Sequence, residues 1–197
     1  MSKRNGAHIS RSKWVALAST MTALALVGNY VLVGVPSVEF GTTVLFVTAY
    51  LFGLSMGIWV ALLMSLVFGI VNPWGGFIPQ IWVFQVLGWG YVCAAAATLS
   101  NDGSIPSDRR PGTLKLAGVG AFITLIFDLL TNAGYSLAFG APYWLSNLAG
   151  LPFTVVHVFS NAILLPLAVP RLERAIKQDL GTSIWSIQDD VLEMTEE

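Results

Sequence analysis

The chain has 197 residues, of which 55% are hydrophobic and only 11% charged, with a mean hydropathy of +0.70. Soluble domains carry about 25% charged residues, so this composition excludes an ordinary soluble enzyme and a disordered chain, and a net charge of −1 supplies no basic field for a nucleic acid. A single cysteine, Cys93, excludes an internal disulfide framework, and no Cys/His cluster suggests a zinc or other metal site.

A helix needs about 20 apolar residues to cross about 30 Å of hydrocarbon. After a basic head at 1–13, the first apolar run covers 14–33 and ends before Pro36. It is longer than the apolar region of a secretion signal and no cleavage signal follows, so it reads as a retained helix. The run 41–71 reads either as one long tilted helix or as two short ones broken near Gly53 and Gly57. Further runs cover 79–99, 114–139 and about 147–169. They are long and do not alternate, which excludes a barrel.

Charge decides the count. Lys3, Arg4, Arg11 and Lys13 precede the first run, Arg109, Arg110 and Lys115 lie between the fourth and fifth, and Arg171, Arg174 and Lys177 follow the sixth. With six spans and the N-terminus inside, all ten are cytoplasmic; with five spans, six of them face outward. Cytoplasmic loops carry the Lys/Arg excess. The expectation is therefore an all-α membrane protein of the plasma membrane, with six transmembrane helices in 14–170, both termini cytoplasmic and a cytoplasmic tail at 171–197. The outward connections are then 34–40, 72–78 and about 140–146, all free of Lys and Arg.

Polar groups at membrane depth face a cavity or a partner helix. Asp128, Asn132 and Tyr135 share one face of the fifth run, His157 and Asn161 lie one turn apart in the sixth, and Trp82, Gln85 and Trp89 form a stripe in the fourth. Three such stripes can converge on a ligand pocket on the outer side, or simply line helix seams; Asp128 can instead pair with His157. In the segment 72–80, two prolines and two glycines stop both flanking helices. Trp74 and Phe77 there are either interfacial anchors or a cover over a planar ligand. Gly53-Leu54-Ser55-Met56-Gly57 matches a G-x-S-x-G pattern, but it lies in an apolar helical run rather than at a strand–turn–helix elbow. The better reading is small residues at a helix break. No P-loop, metalloprotease motif or paired carboxylates occur.

The chain resembles the substrate-specific S components of energy-coupling factor (ECF) vitamin importers. The resemblance rests on Asn72-Pro73-Trp74, on Pro79-Gln80-Ile81-Trp82-Val83-Phe84-Gln85 running into Gly88-Trp89-Gly90, on Phe127-Asp128-Leu129-Leu130-Thr131-Asn132, and on Pro152-Phe153-Thr154-Val155-Val156-His157 with Ser160-Asn161-Ala162. It implies a non-enzymatic subunit without a cofactor that captures a vitamin-like molecule from outside. It also implies partners: a membrane-embedded T component and two ATPases. Family members dock to the T component through small residues on the first helix, for which this chain offers Ala16 with Thr20 and Ser19 with Ala23, a departure from the usual pair of alanines. The acidic tail is longer than the family suggests and reads as a solvated end.

The candidate pocket groups are aromatic and neutral: Trp74, Trp82, Trp89, Tyr143 and Trp144, with Gln80, Gln85, Asn132, Asn147 and Asn161 as hydrogen-bonding groups. This suits a flat heteroaromatic ligand and disfavours a strongly anionic one. Cobalamin or a precursor, riboflavin, thiamin and queuosine-like bases all remain open. The alternative is an intramembrane enzyme using Ser55 or Asp128 with His157, or a structural membrane protein.

Overall fold

A computed structural model describes residues 10–73, 75–99 and 111–184, the last six of these by backbone alone. It contains six helices: α1 (Arg11–Val31), α2 (Gly41–Phe52), α3 (Leu54–Ile70), α4 (Pro79–Thr98), α5 (Thr113–Phe139) and α6 (Tyr143–Ile184). No strand occurs among the described residues. Four helices, α1, α4, α5 and α6, are long and apolar enough to cross a membrane. At 12 and 17 residues, α2 and α3 rise only about 18 and 26 Å, short of about 30 Å of hydrocarbon. The outer faces carry exposed apolar side chains such as Trp59, Phe122, Phe159 and Ile163, as a lipid-facing surface requires.

The long run 41–71 is thus two helices, and Gly53 separates them. Its φ of +89° and ψ of 168° lie in a region that side chains rarely adopt. Gly57 serves the same corner. A Cβ there would sit 2.6 Å from the Ala49 Cβ and 3.2 Å from the Cys93 Cβ, so its absence lets the two arms close against α4. Gly53→Ala is expected to cost about 1–3 kcal/mol, because it forces a side chain into this conformation without touching a neighbour. A lowered apparent melting temperature in detergent checks it.

The short α2 is the centre of the molecule. Every residue from Gly41 to Tyr50 is buried, and α2 packs against α1, α3, α4 and α6. The arm is anchored at its start, where Asn29 of α1 accepts from the Gly41 N–H at 3.0 Å. The Tyr30 hydroxyl donates to the Val71 carbonyl at 2.9 Å, which brings the end of α3 back to the end of α1. The pair α2–α3 is therefore a hairpin that enters the bundle and returns to the same end. On the other side, α5 packs between α4 and α6.

Two boundaries differ from the sequence reading. The last connection shrinks to 140–142, because Gly140 takes a left-handed cap after α5 and the Pro142 carbonyl accepts from Leu145 and Ser146 to open α6. Tyr143, Trp144 and Asn147 are thus helical. At the other end α6 runs unbroken across 170, through Pro152, Pro166 and Pro170. Leu172 and Ile176 continue its packing on the core. Lys177 pairs with Glu173 at 2.8 Å, and the Arg174 Nε donates to the Pro170 carbonyl at 3.2 Å. The charges after 170 mark a change of surroundings, not a helix end.

Candidate functional site

A cavity of about 850 Å³ opens at one end of the bundle. Pro36 and Ser37 from the first connection, Asn72 from the second and Ala141 from the third all border it, so the three connections gather at its mouth. Its walls come from α3 (Phe68), α4 (Gln85), α5 (Asp128, Thr131, Asn132, Tyr135, Phe139) and the first three turns of α6 (Leu145 to Thr154). The volume falls within the range of small-molecule sites.

The fifth-helix stripe lands here whole: Asp128, Asn132 and Tyr135 all line the cavity. Asn132 is oriented by its neighbour, donating through its amide nitrogen to the Asn147 Oδ1 at 3.2 Å, while the Asn147 amide donates to the Tyr143 carbonyl at 2.8 Å. A Cβ at Gly150 would lie 3.0 Å from that Asn132 amide, so the glycine makes room for it.

The fourth-helix stripe divides. At 100° per residue, Trp82 and Trp89 nearly eclipse, and Gln85 lies about 60° from the first and about 40° from the second. Gln85 lines the cavity. Trp82 faces α3 and donates from its indole to the Ser65 carbonyl at 3.1 Å. Trp89 is buried between Phe68 and Phe127, at ring distances of 6.4 and 5.4 Å, with its indole nitrogen unpartnered. Phe77 lies against Trp82 at 5.8 Å, over the α3–α4 seam. Gln80 is exposed on the first turn of α4, and Trp144 is exposed near the start of α6. Tyr143 is half-exposed and donates to the Leu129 carbonyl at 3.1 Å. Trp74 lies outside the described residues.

Beside the cavity, His157 is buried between two carboxylates. Its Nδ1 is 2.8 Å from the Asp128 Oδ1, and its Nε2 is 3.6 Å from the Glu39 Oε1. Glu39 sits in the first connection, outside the helices. Burial pushes its carboxyl up, but the imidazole and the Thr42 N–H, which donates at 3.0 Å, outweigh this and hold it below the usual value. One turn further along α6, the Ser160 hydroxyl donates to the Ser37 carbonyl at 3.2 Å. The first connection is therefore fastened to α6 at two points, and His157 links it to the cavity wall. Deeper still, Asn161 is fully buried with both side-chain polar atoms unpartnered.

Sequence reasoning missed Glu39, Thr131, Phe68, Phe139 and Phe153. Glu39 carried a signal: with Asp128 it is one of only two acids within the helical runs and outward connections. Ser55 is exposed at the start of α3, at the corner end of the hairpin, while His157 is engaged by Asp128 and Glu39. The α1 residues Ala16, Ser19, Thr20 and Ala23 form an exposed stripe, with the Thr20 hydroxyl turned back to the Ala16 carbonyl. Among the described residues no group of three His, Cys, Asp or Glu side chains is placed to hold a metal ion. In comparisons with known proteins, no family model, curated protein or solved structure matches this chain.

Proposed function

We propose that the chain crosses the plasma membrane six times, with both termini cytoplasmic, and is the substrate-binding subunit of an ECF-type importer. In this reading it captures a vitamin-like nutrient from outside and hands it to a T component and two ATPases. The observation that carries the proposal is the cavity at the end of the bundle where the three connections without Lys or Arg meet. The described basic residues Arg11, Lys13, Lys115, Arg171, Arg174 and Lys177 lie toward the other ends of α1, α5 and α6, as a cytoplasmic face requires. The short α2–α3 hairpin does not disturb this assignment. It leaves and returns to the same end of the bundle, so the sidedness of α4, α5 and α6 is the same whether it crosses fully or only dips into the bilayer. The exposed stripe Ala16, Ser19, Thr20 and Ala23 supports close approach of a partner helix.

The test is purification in detergent without added ligand, then denaturation and mass spectrometry of what was retained. A vitamin-like molecule at near one-to-one ratio is expected. Gln85→Ala and Asn132→Ala each remove a polar group from the cavity wall and are expected to weaken retention about 10- to 100-fold. Ser55→Ala is expected to leave retention unchanged. Equal retention in all three variants overturns the pocket assignment, and dependence of a hydrolytic activity on Ser55 favours the enzyme alternative.

A further inference from the structure

We infer that the cavity is built for an organic cation, recognised by the surplus negative charge of the Glu39–His157–Asp128 cluster, which reaches its wall through Asp128. This deepens the binding reading above and rests on it. The argument is a charge count. One imidazole carries at most one positive charge, and two carboxylates face it at 2.8 and 3.6 Å. With both carboxylates ionised, at least one negative charge is left over in a nearly dry site, where the side chains of His157, Asp128 and Glu39 are 10%, 14% and 20% exposed.

Among the described residues no Lys or Arg pairs with it. Residues 14–108 and 116–170 contain no Lys or Arg, and every residue that lines the cavity falls within them. An uncompensated charge at membrane depth is costly. It is tolerated where a ligand of opposite sign completes the site.

The rest of the wall fits the same occupant. Phe68, Tyr135, Phe139 and Phe153 offer ring faces, and Tyr135 and Phe139 stack at 5.7 Å. Such faces attract cations. Asn132 spends its amide nitrogen on Asn147, which leaves its carbonyl oxygen as an acceptor for ligand N–H groups. A bare metal ion does not suit a space of about 850 Å³ walled by aromatic rings. A nitrogen heteroaromatic that is protonated or quaternised does. Asp128 is the member of the cluster that lines the cavity. His157 and Glu39 are positioning residues that hold its carboxylate and set the net charge.

The experiment is thermal unfolding and titration of the full chain in detergent with charge-paired probes: thiamin against thiamin pyrophosphate, and methylpyridinium against nicotinate. The expected result is that a cation binds at least about tenfold more tightly than its anionic partner, with this preference lost in Asp128→Asn. Glu39→Gln, which does not border the cavity, is expected to reduce the preference without abolishing binding. A change confined to packing would weaken both members of a pair alike, so the ratio separates the two. Binding of anions as tightly as cations, or an unchanged ratio in Asp128→Asn, overturns this inference and leaves the importer reading standing. Failure of every probe, with a chain that emerges free of ligand, overturns both.

Discussion

His157→Ala is expected to be the most damaging single change in the site, lowering stability by about 3–5 kcal/mol. The variant leaves Asp128 and Glu39 buried without the group that separates and neutralises them. It also unties the first connection from α6, since the remaining Ser160–Ser37 bond is a single neutral hydrogen bond. Apparent melting temperature in detergent is the measurement. A rescue identifies the cause: adding Asp128→Asn and Glu39→Gln to His157→Ala removes the two charges and is expected to restore a large part of the loss. If the triple variant is no better than the single one, the cost lies in lost packing against the Phe127 ring, 5.9 Å away, and the cluster is not an electrostatic unit.

How much of this site was readable from the chain depends on the geometry of each helix. Asp128, Asn132 and Tyr135 follow spacings that hold on any straight helix, and they reach the cavity together. Trp82, Gln85 and Trp89 also look like one stripe, but an offset of about 40–60° was enough to put Gln85 on the cavity, while Trp82 turned to α3 and Trp89 was buried between α3 and α5. Periodicity finds a face; it does not say which neighbour that face meets. Asp128 and His157 are 29 positions apart, and their pairing was foreseeable only as one option. Glu39 escaped because it sits in a connection, where an acid normally meets water. Only folding the connection back onto α6 buries it.

The same contrast runs through the fold. Long apolar runs announced α1, α4, α5 and α6 directly. The break in 41–71 was legible from its two glycines, but the central position of α2 was not. A helix buried over its whole first ten residues has no polar face to betray its neighbours. The continuation of α6 past 170 was hidden for the opposite reason. Arg171, Arg174 and Lys177 look like a boundary, yet they are good helix formers with carbonyls and carboxylates of the preceding turn in reach.

A pair of glycines two residues apart on α5 provides the sharpest test of the packing. Gly120→Ala is expected to destabilise by about 1–3 kcal/mol, whereas Gly118→Ala is expected to be neutral or to stabilise by up to about 1 kcal/mol. The substitutions are chemically identical and differ only in what the new methyl meets. At Gly120 it would lie 2.5 Å from the Asn161 carbonyl oxygen and 3.0 Å from its carbon, which are backbone atoms of α6 that cannot rotate away. At Gly118 nothing lies within 4 Å, so only the gain in helix propensity remains. Relief at Gly120 requires α5 and α6 to move apart. The 2.8 Å contact between Asp128 and His157 bridges the same two helices two turns of α5 further on. Gly120→Ala is therefore expected to weaken ligand retention as well as stability, though the residue does not border the cavity. Melting curves and retained ligand of the two variants, measured side by side, decide it: equal behaviour would mean that α5 and α6 do not pack through Gly120.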